Sequence, residues 1–495
     1  MNKKPNIVFI LEDHQAFYRH GWDGGLKPKL PNFDKFKSEG IEFTNAYCAT
    51  PLCGPVRRSM INGLYPHTHK NYYNDSAIPY DEDTYLRLLH QGGYENFYYG
   101  KWHAGEGNAI TADQNCKGFS SDGYGNPYIS EEYKEYCKKR NIEPAKHLIT
   151  HNFTSDRLLK DGFFTDMKVG ELYECKSSWC GEHAAGVTVT DKDSHESFFL
   201  ANLACEQLEE CAKNPDQPFH LRVDFWGPHQ PFFPTQEYLD WYNKEEIVEY
   251  GNFRDTLENK ALVNRRDDNR GISDENYNMY IPSRIPWSTW QDVLVHNYAH
   301  QSMIDAAAGR VIDKIKELGL DENTVIIWTT DHGDAVASHG GHFDKCSFMT
   351  QEVMRIPMAL RWPNVIKPVV CDEFVSNLDV PATILDCAGL SFPKRVDSRS
   401  LLALKEGNLE SWPKEIFCET AGHGYIERVH GRMVVSGNYK LVCFEGQLDE
   451  MYDLEKDPYE LNNLAVDSSF DDKKEEMKNL LREKQKESLD WATFV

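Results

Sequence analysis

Four short strand-like runs in this chain each lead into titratable side chains. Residues 7–11 run into Glu12-Asp13-His14, and residues 96–99 into Gly100-Lys101-Trp102-His103. Residues 219–225 run into Trp226-Gly227-Pro228-His229, and residues 323–330 into Asp331-His332-Gly333-Asp334. The first of these runs is unbroken, the pattern of a strand covered on both faces, as in a parallel sheet. Open α/β sheets place their sites beyond the carboxyl ends of such strands. The pattern therefore predicts an α/β fold: a large mixed, mostly parallel sheet flanked by helices, with Asp13, Lys101, His103, His229, Asp331 and His332 gathered along one sheet edge.

The stretch Cys53-Gly54-Pro55-Val56-Arg57 reads as the opening of a helix. Proline suits the first helical position, where no backbone N–H is needed. Cys53 then lies just ahead of the helix N-terminus, where free N–H groups and the dipole favour anions. Arg57, one turn on, points its guanidinium back toward the same place. A cysteine so placed suits a nucleophile or the precursor of one. On these residues alone, a buried thiol in a turn is an equal reading.

Length and charge narrow the function. The 495 residues allow a large domain with a smaller one, or up to three domains. A formal charge of −24 argues against nucleic acid or an anionic membrane surface as partner, and an anionic substrate would need a local basic pocket. The apolar run at 7–11 is too short for a signal or a membrane span, so the sequence reads as cytoplasmic. Its thirteen cysteines then read mostly as reduced thiols, with Cys175 and Cys180 spaced to pair or bind metal.

Cys53-x-Pro55-x-Arg57, followed by Gly63, resembles the signature of the type I sulfatase family, within the alkaline-phosphatase-like superfamily. Asn62 stands where that family usually has Thr. The resemblance extends along nearly the whole chain. Asp13 matches the first of two metal-binding aspartates after the first strand, and His14 replaces the second. A related branch, the phosphonate monoester hydrolases, also lacks the second aspartate. Gly100-Lys101-x-His103 matches a family block without a gap, and Pro228-His229-x-Pro231-Phe232 resembles another. Asp331-His332-Gly333-Asp334 matches closely, while Lys345 matches the family's second active-site lysine across about one inserted residue. His67 and His69, in a turn resembling the family's Gly-x-x-Pro-x-x-His, could line the pocket or serve only structure.

The resemblance implies a chemistry. Cys53 would be oxidised to formylglycine by a formylglycine-generating maturation enzyme. One divalent metal would be held by Asp13, Cys53, Asp331 and His332, with Ca2+ the first choice and Mn2+ or Mg2+ as alternatives. A hydroxyl of the hydrated aldehyde would attack sulfur in line to give a covalent sulfo-enzyme. Lys101 and Lys345 would offset charge on the sulfuryl oxygens, and His229 would protonate the leaving alcohol. His103 would then take a proton to expel sulfate, while Arg57 holds the diol. The expected substrate is a small anionic ester, a sulfated sugar or aryl sulfate. Two alternatives stand beside it: phosphonate monoester or phosphodiester hydrolysis at the same site, and an unmodified protein that binds sulfated ligands.

The remaining organisation is coarser. Residues 1–392 read as the catalytic domain, with insertion loops at about 106–193 and 238–290 showing little regular pattern. A long amphipathic helix is expected over residues 293–318, its apolar face built on Ile304, Ala308, Val311, Ile312, Ile315 and Leu318. Residues 393–495 read as a smaller α+β subdomain carrying an antiparallel hairpin around Ser436-Gly437-Asn438 and a charged closing helix. Oligomeric state is not legible.

Overall fold

The computed structural model describes residues 3–495 apart from 18–24, 75, 153–166, 179–182, 266–285, 346 and 424–427. In chain order the strands are β1 (Asn6–Glu12), β2 (Ile41–Tyr47), β3 (Glu95–Lys101), β4 (Cys116–Ser121), β5 (His147–Asn152), β6 (Leu172–Tyr173), β7 (Ala184–Thr188), β8 (Phe219–Asp224), β9 (Thr324–Thr330), β10 (Met358–Arg361), β11 (Val369–Ser376), β12 (Glu415–Thr420), β13 (Gly431–Ser436), β14 (Tyr439–Phe444) and β15 (Glu450–Asp453). Eight form one sheet in the order β11-β2-β10-β9-β1-β8-β3-β4. Only β10 runs antiparallel to its neighbours, against β2 and β9. The fold is the expected large, mostly parallel α/β sheet, with an antiparallel four-stranded sheet, β12-β13-β14-β15, toward the C-terminus.

Register explains why the strand-end residues meet. The parallel strands β9, β1, β8 and β3 lie side by side, pairing Glu12 with Thr330, Leu11 with Asp224, and Gly100 with Asp224. The chain thus leaves the sheet at one level after Glu12, Lys101, Asp224 and Thr330, so the residues just beyond share one edge. β1 is buried along its whole length, as expected for a strand covered on both faces. Gly100 is required where β3 passes β8: it has a positive φ of 122°, and a Cβ there would lie 1.9 Å from the Asp224 carbonyl oxygen.

Two buried apolar clusters sandwich the sheet. One packs the Glu196–Ala212 and Trp287–Glu317 helices on one face. The other, on the opposite face, runs without a break into the C-terminal sheet through Met433, Leu441 and Met451. The long helix starts six residues before the predicted 293, because Trp287 and Trp290 anchor its first turn against Tyr250, Phe253 and Phe343. The 106–193 stretch is more regular than its sequence indicated. β4 adds an edge strand to the large sheet, a helix spans Glu131–Arg140, and β5, β6 and β7 form a separate small sheet. β4 pairs on one side only and exposes much of its length, so it lacks the apolar run that marks a central strand. Of the Cys175 and Cys180 pair, Cys180 lies outside the described residues. Among the described residues no helix is long and apolar enough to cross a membrane.

Candidate active site

Cys53 opens the Cys53–Asn62 helix, with Leu52 as its extended N-cap and Gly63 closing it at a φ of 72°. Pro55 is therefore the third helical residue rather than the first. The first-turn N–H groups have no intrahelical partner, so its missing donor still costs nothing. The thiol is buried, 3.1 Å from His332 Nε2 and 3.8 Å from Asp13 Oδ1. Burial, resisted by Lys101 and Lys345, pushes it up to about 12. With no ion bound, an unmodified Cys53 is thus a neutral thiol near neutral pH and a poor nucleophile. This favours the precursor over the thiolate among the readings of its sequence.

Arg57, one turn on, holds the edge together. Its Nε donates to Asp331 Oδ2 at 2.9 Å, and one terminal nitrogen donates to Asp224 Oδ2 and to the Lys101 carbonyl, both at 3.1 Å. The other terminal nitrogen lies 3.5 Å from Asp13 Oδ2. Burial alone would favour losing the charge, but Asp331, Asp13 and Asp224 hold the guanidinium far above its usual range. In return, Lys101 and Arg57 hold Asp13 at about 2 against the opposing effects of burial and Asp331. Lys101 Nζ donates to Asp13 Oδ2 and sits 4.6 Å from the centre of the Tyr124 ring.

One ligand atom each from Asp13, Cys53, Asp331 and His332 lies within 4.8 Å of the others, and all four residues are buried. The donors are two carboxylates, an imidazole and the group at position 53. Burial holds His332 at about 3, so its ring is neutral and fit to coordinate. Its Nδ1 faces the Gly333 carbonyl at 2.9 Å, which leaves Nε2 for the cluster. Hard oxygen donors with one imidazole suit Ca2+, Mg2+ or Mn2+.

His14 does not join that group of four. With a φ of 71°, it sets its ring edge-on to His332 at 4.5 Å between centres, and a ring nitrogen lies within 4.8 Å of the Cys53 sulfur and a His229 nitrogen. Nδ1 is 3.2 Å from Gln230 Oε1, Nε2 is 2.9 Å from Asp344 Oδ1, and the ring stacks on His229 at 4.3 Å. Lys345 Nζ reaches the same Asp344 oxygen at 2.9 Å and His229 Nε2 at 3.4 Å. Burial, with His14 and Lys345 adding to it, keeps His229 well below its usual range. His103, buried and set edge-on to Tyr124, is likewise held low by burial and by Lys101 and Arg57.

The structure thus brings Asp13, Cys53, Arg57, Lys101, His103, His229, Asp331, His332 and Lys345 to one place. His67 and His69 are not part of it. His67 pairs with Glu419 and the Ser488 carbonyl, and His69 bonds Ser59, both structural roles. Sequence reasoning missed Asp224, which binds Arg57 and accepts from Nε and one terminal nitrogen of Arg222. It also missed Asp344, Tyr124 and Asn377, whose amide donates to the Asp331 carbonyl at 2.7 Å. His423, half-buried and from the C-terminal part, faces Lys345 and Asp344 closely enough to feel their charge. Asp224 obeyed the strand-end rule and Asp344 adjoins a chosen lysine. Tyr124 and His423 carried no signal.

Comparison with known proteins fits this geometry. The family model Sulfatase matches residues 5–390, and that of the N-sulphoglucosamine sulphohydrolase C-terminal region matches residues 338–487. An N-acetylglucosamine-6-O-sulfatase of Bacteroides thetaiotaomicron is 26% identical over 99% of this chain and 87% of its own length. An arylsulfatase of Clostridium perfringens is 25% identical over 97% of this chain and 94% of its own. A phosphonate monoester hydrolase of Agrobacterium radiobacter shares the fold with a TM-score of 0.76 at 18% identity, covering 98% of this chain and 96% of that one.

Proposed function

The chain belongs to the sulfatase family, the sulfuric ester hydrolases, and on that premise we propose that it hydrolyses the sulfate monoester of a small sulfated sugar or aryl alcohol, using a formylglycine made from Cys53 and one divalent metal. The observation that carries this is the buried convergence of Asp13, Cys53, Asp331 and His332 within 4.8 Å. The sulfated amino sugar named for the Bacteroides relative makes a sulfated hexosamine the first substrate to try.

Asp13, Asp331 and His332 would hold the metal with position 53, and Ca2+ remains the first expectation for so oxygen-rich a set. Metal and hydrated aldehyde together would supply an acidified hydroxyl nucleophile and a polarised sulfate oxygen. The rest falls to this chain's own side chains. Lys101 and Lys345 flank the site with fixed positive charge for the sulfuryl oxygens, where preorganised cations stabilise developing charge. His229 Nε2, 3.4 Å from Lys345 Nζ, delivers a proton to the leaving alcohol oxygen, with the ammonium as its source. His103, neutral and buried, takes the proton from the hydroxyl at position 53 that releases sulfate. Arg57 fixes Asp13, Asp331 and Asp224 in their orientations.

His14 supports a second reading. A site with an imidazole at this position, in place of a second carboxylate, also suits phosphonate monoesters or phosphodiesters. Protein from a host with the maturation enzyme, assayed on matched aryl sulfate, aryl phosphodiester and aryl phosphonate and on sulfated hexosamines, separates the two. Peptide mass analysis of residue 53 on the same sample reports its modification. A dominant phosphodiester rate would overturn the first reading, and turnover by protein retaining only the thiol would overturn the formylglycine.

A further inference from the structure

His339 lies outside the group described above, in the turn that leads to Lys345. The turn is bent hard: Ala337, His339 and Asp344 all carry positive φ, at 64°, 43° and 66°, together with Gly340 and Gly341. Residues other than glycine keep such conformations only where their surroundings enforce them. Here the enforcement is ionic. His339 is buried, with Nδ1 3.1 Å from Asp255 Oδ2 and Nε2 3.2 Å from Glu352 Oε2. Ionised carboxylates accept and cannot donate, so a ring that satisfies both must carry a proton on each nitrogen.

Each partner is itself fixed. Glu352 Oε1 accepts from Asn252 Nδ2 at 2.7 Å, Asp255 Oδ1 accepts from the Leu257 N–H at 2.9 Å, and the Gly340 N–H donates to the Asn252 carbonyl at 3.0 Å. Lys260 faces the cluster from the 252–264 segment, 3.5 Å from Asp255. Glu460 faces it from the C-terminal part, and His342 from the turn itself. The far arm of the turn is held by the Ala337 N–H on the His342 carbonyl and the Ala335 N–H on the Asp344 carbonyl. The 252–264 segment, distant in sequence, and the Gln351–Met354 turn just beyond Lys345 thus clamp the loop that presents Asp344 and Lys345.

We propose that His339, held as an imidazolium between Asp255 and Glu352, is the positioning residue that keeps the 337–345 turn closed and Lys345 beside His229, and that loss of its proton loosens the turn. Burial opposes the charge, but Glu352 and Asp255 prevail and push His339 up to about 9. The turn is therefore locked at neutral pH and opens on the alkaline side. The consequence for turnover rests on the reading of Lys345 given above; the consequence for the loop does not.

Two measurements on the full-length protein test this separately. Hydrogen exchange of wild-type peptides covering 337–345, corrected for intrinsic rate, is expected to lose protection between about pH 7 and about pH 10, while peptides from β1 keep theirs. Unchanged protection in that turn would overturn the proposal, whatever the enzyme's substrate. On whichever ester the wild type turns over, His339→Gln is expected to lower kcat by about 10- to 100-fold at neutral pH and to remove an alkaline limb near about pH 9. A variant with wild-type kcat, or one with reduced kcat and the alkaline limb intact, would also overturn it. Wild-type protein without turnover but with pH-dependent exchange would count against the enzymatic reading and leave the clamp standing.

Discussion

His14 Nε2 lies 2.9 Å from Asp344 Oδ1, and Lys345 Nζ reaches that same oxygen at 2.9 Å. One carboxylate thus serves both an imidazole from the end of β1 and an ammonium from its own loop. Burial would raise Asp344, but Lys345 and His14 outweigh it and hold the group well below the usual carboxylate range. Charge-assisted bonds of this kind are worth about 1.5–3 kcal/mol each. His14→Gln and Asp344→Asn should each lower kcat/KM by about tenfold or more. The double variant should fall short of the sum, with a coupling of about 1–3 kcal/mol. Steady-state kinetics on all four proteins measure the coupling; strict additivity would mean the contact carries nothing.

Arg57 is a stability residue as well as a site residue. It is fully buried and touches Asp331, Asp224 and Asp13. Removing one partner from a buried ionic group leaves uncompensated charge and costs about 3–5 kcal/mol. Arg57→Ala should lose that much by urea unfolding. Arg57→Lys should fall between the two, because a single ammonium cannot span the acceptors that the planar fork reaches. A loss under about 1 kcal/mol for the alanine variant would show that the carboxylates find other compensation.

How much of this was legible follows from how each residue reaches the site. Asp13, Lys101 and Asp331 stand just past or at the ends of apolar strands, where composition changes abruptly, and parallel register then brings them together without further information. Asp224 occupies an equivalent place, but as the last residue of β8 it reads as strand. Arg222 sits inside that same run, and only the three-dimensional contact shows that it is buried against Asp224 and not solvated. Tyr124 and His423 arrive from stretches with no periodicity, so nothing local marks them. The histidines at 67 and 69 show the converse: a suggestive cluster whose rings are spent on Glu419 and Ser59. The long helix was legible from its period but not its start, which two tryptophans set through contacts distant in sequence.

Metal removal should reveal the cluster of Asp13, Cys53, Asp331 and His332 independently of substrate. A ligand that binds only the folded state at about 100 times its Kd stabilises it by about 2.7 kcal/mol. Dialysis against a chelator should therefore abolish turnover and lower Tm together, and readdition of Ca2+, Mg2+ or Mn2+ should restore both in an order that identifies the ion. Asp331→Asn should lose the metal-dependent part of Tm. If chelation moves neither rate nor Tm, the four residues do not hold an exchangeable ion.

The clamp at His339 also predicts how wild-type stability depends on pH. Its folded pKa of about 9 lies above the ordinary value of 6.5, so folding favours its protonated form. That contribution is complete below about pH 6.5 and fades as pH rises through about 9, by on the order of 3 kcal/mol. Glu352 takes up its own proton outside this window: burial would raise it, but His339 and Asn252 hold it at about 2, so it titrates only in acid. Urea midpoints of the wild type should fall between about pH 6.5 and about pH 9.5, and those of His339→Gln should fall by much less. Parallel pH dependences in the two proteins would place the alkaline sensitivity elsewhere in the chain.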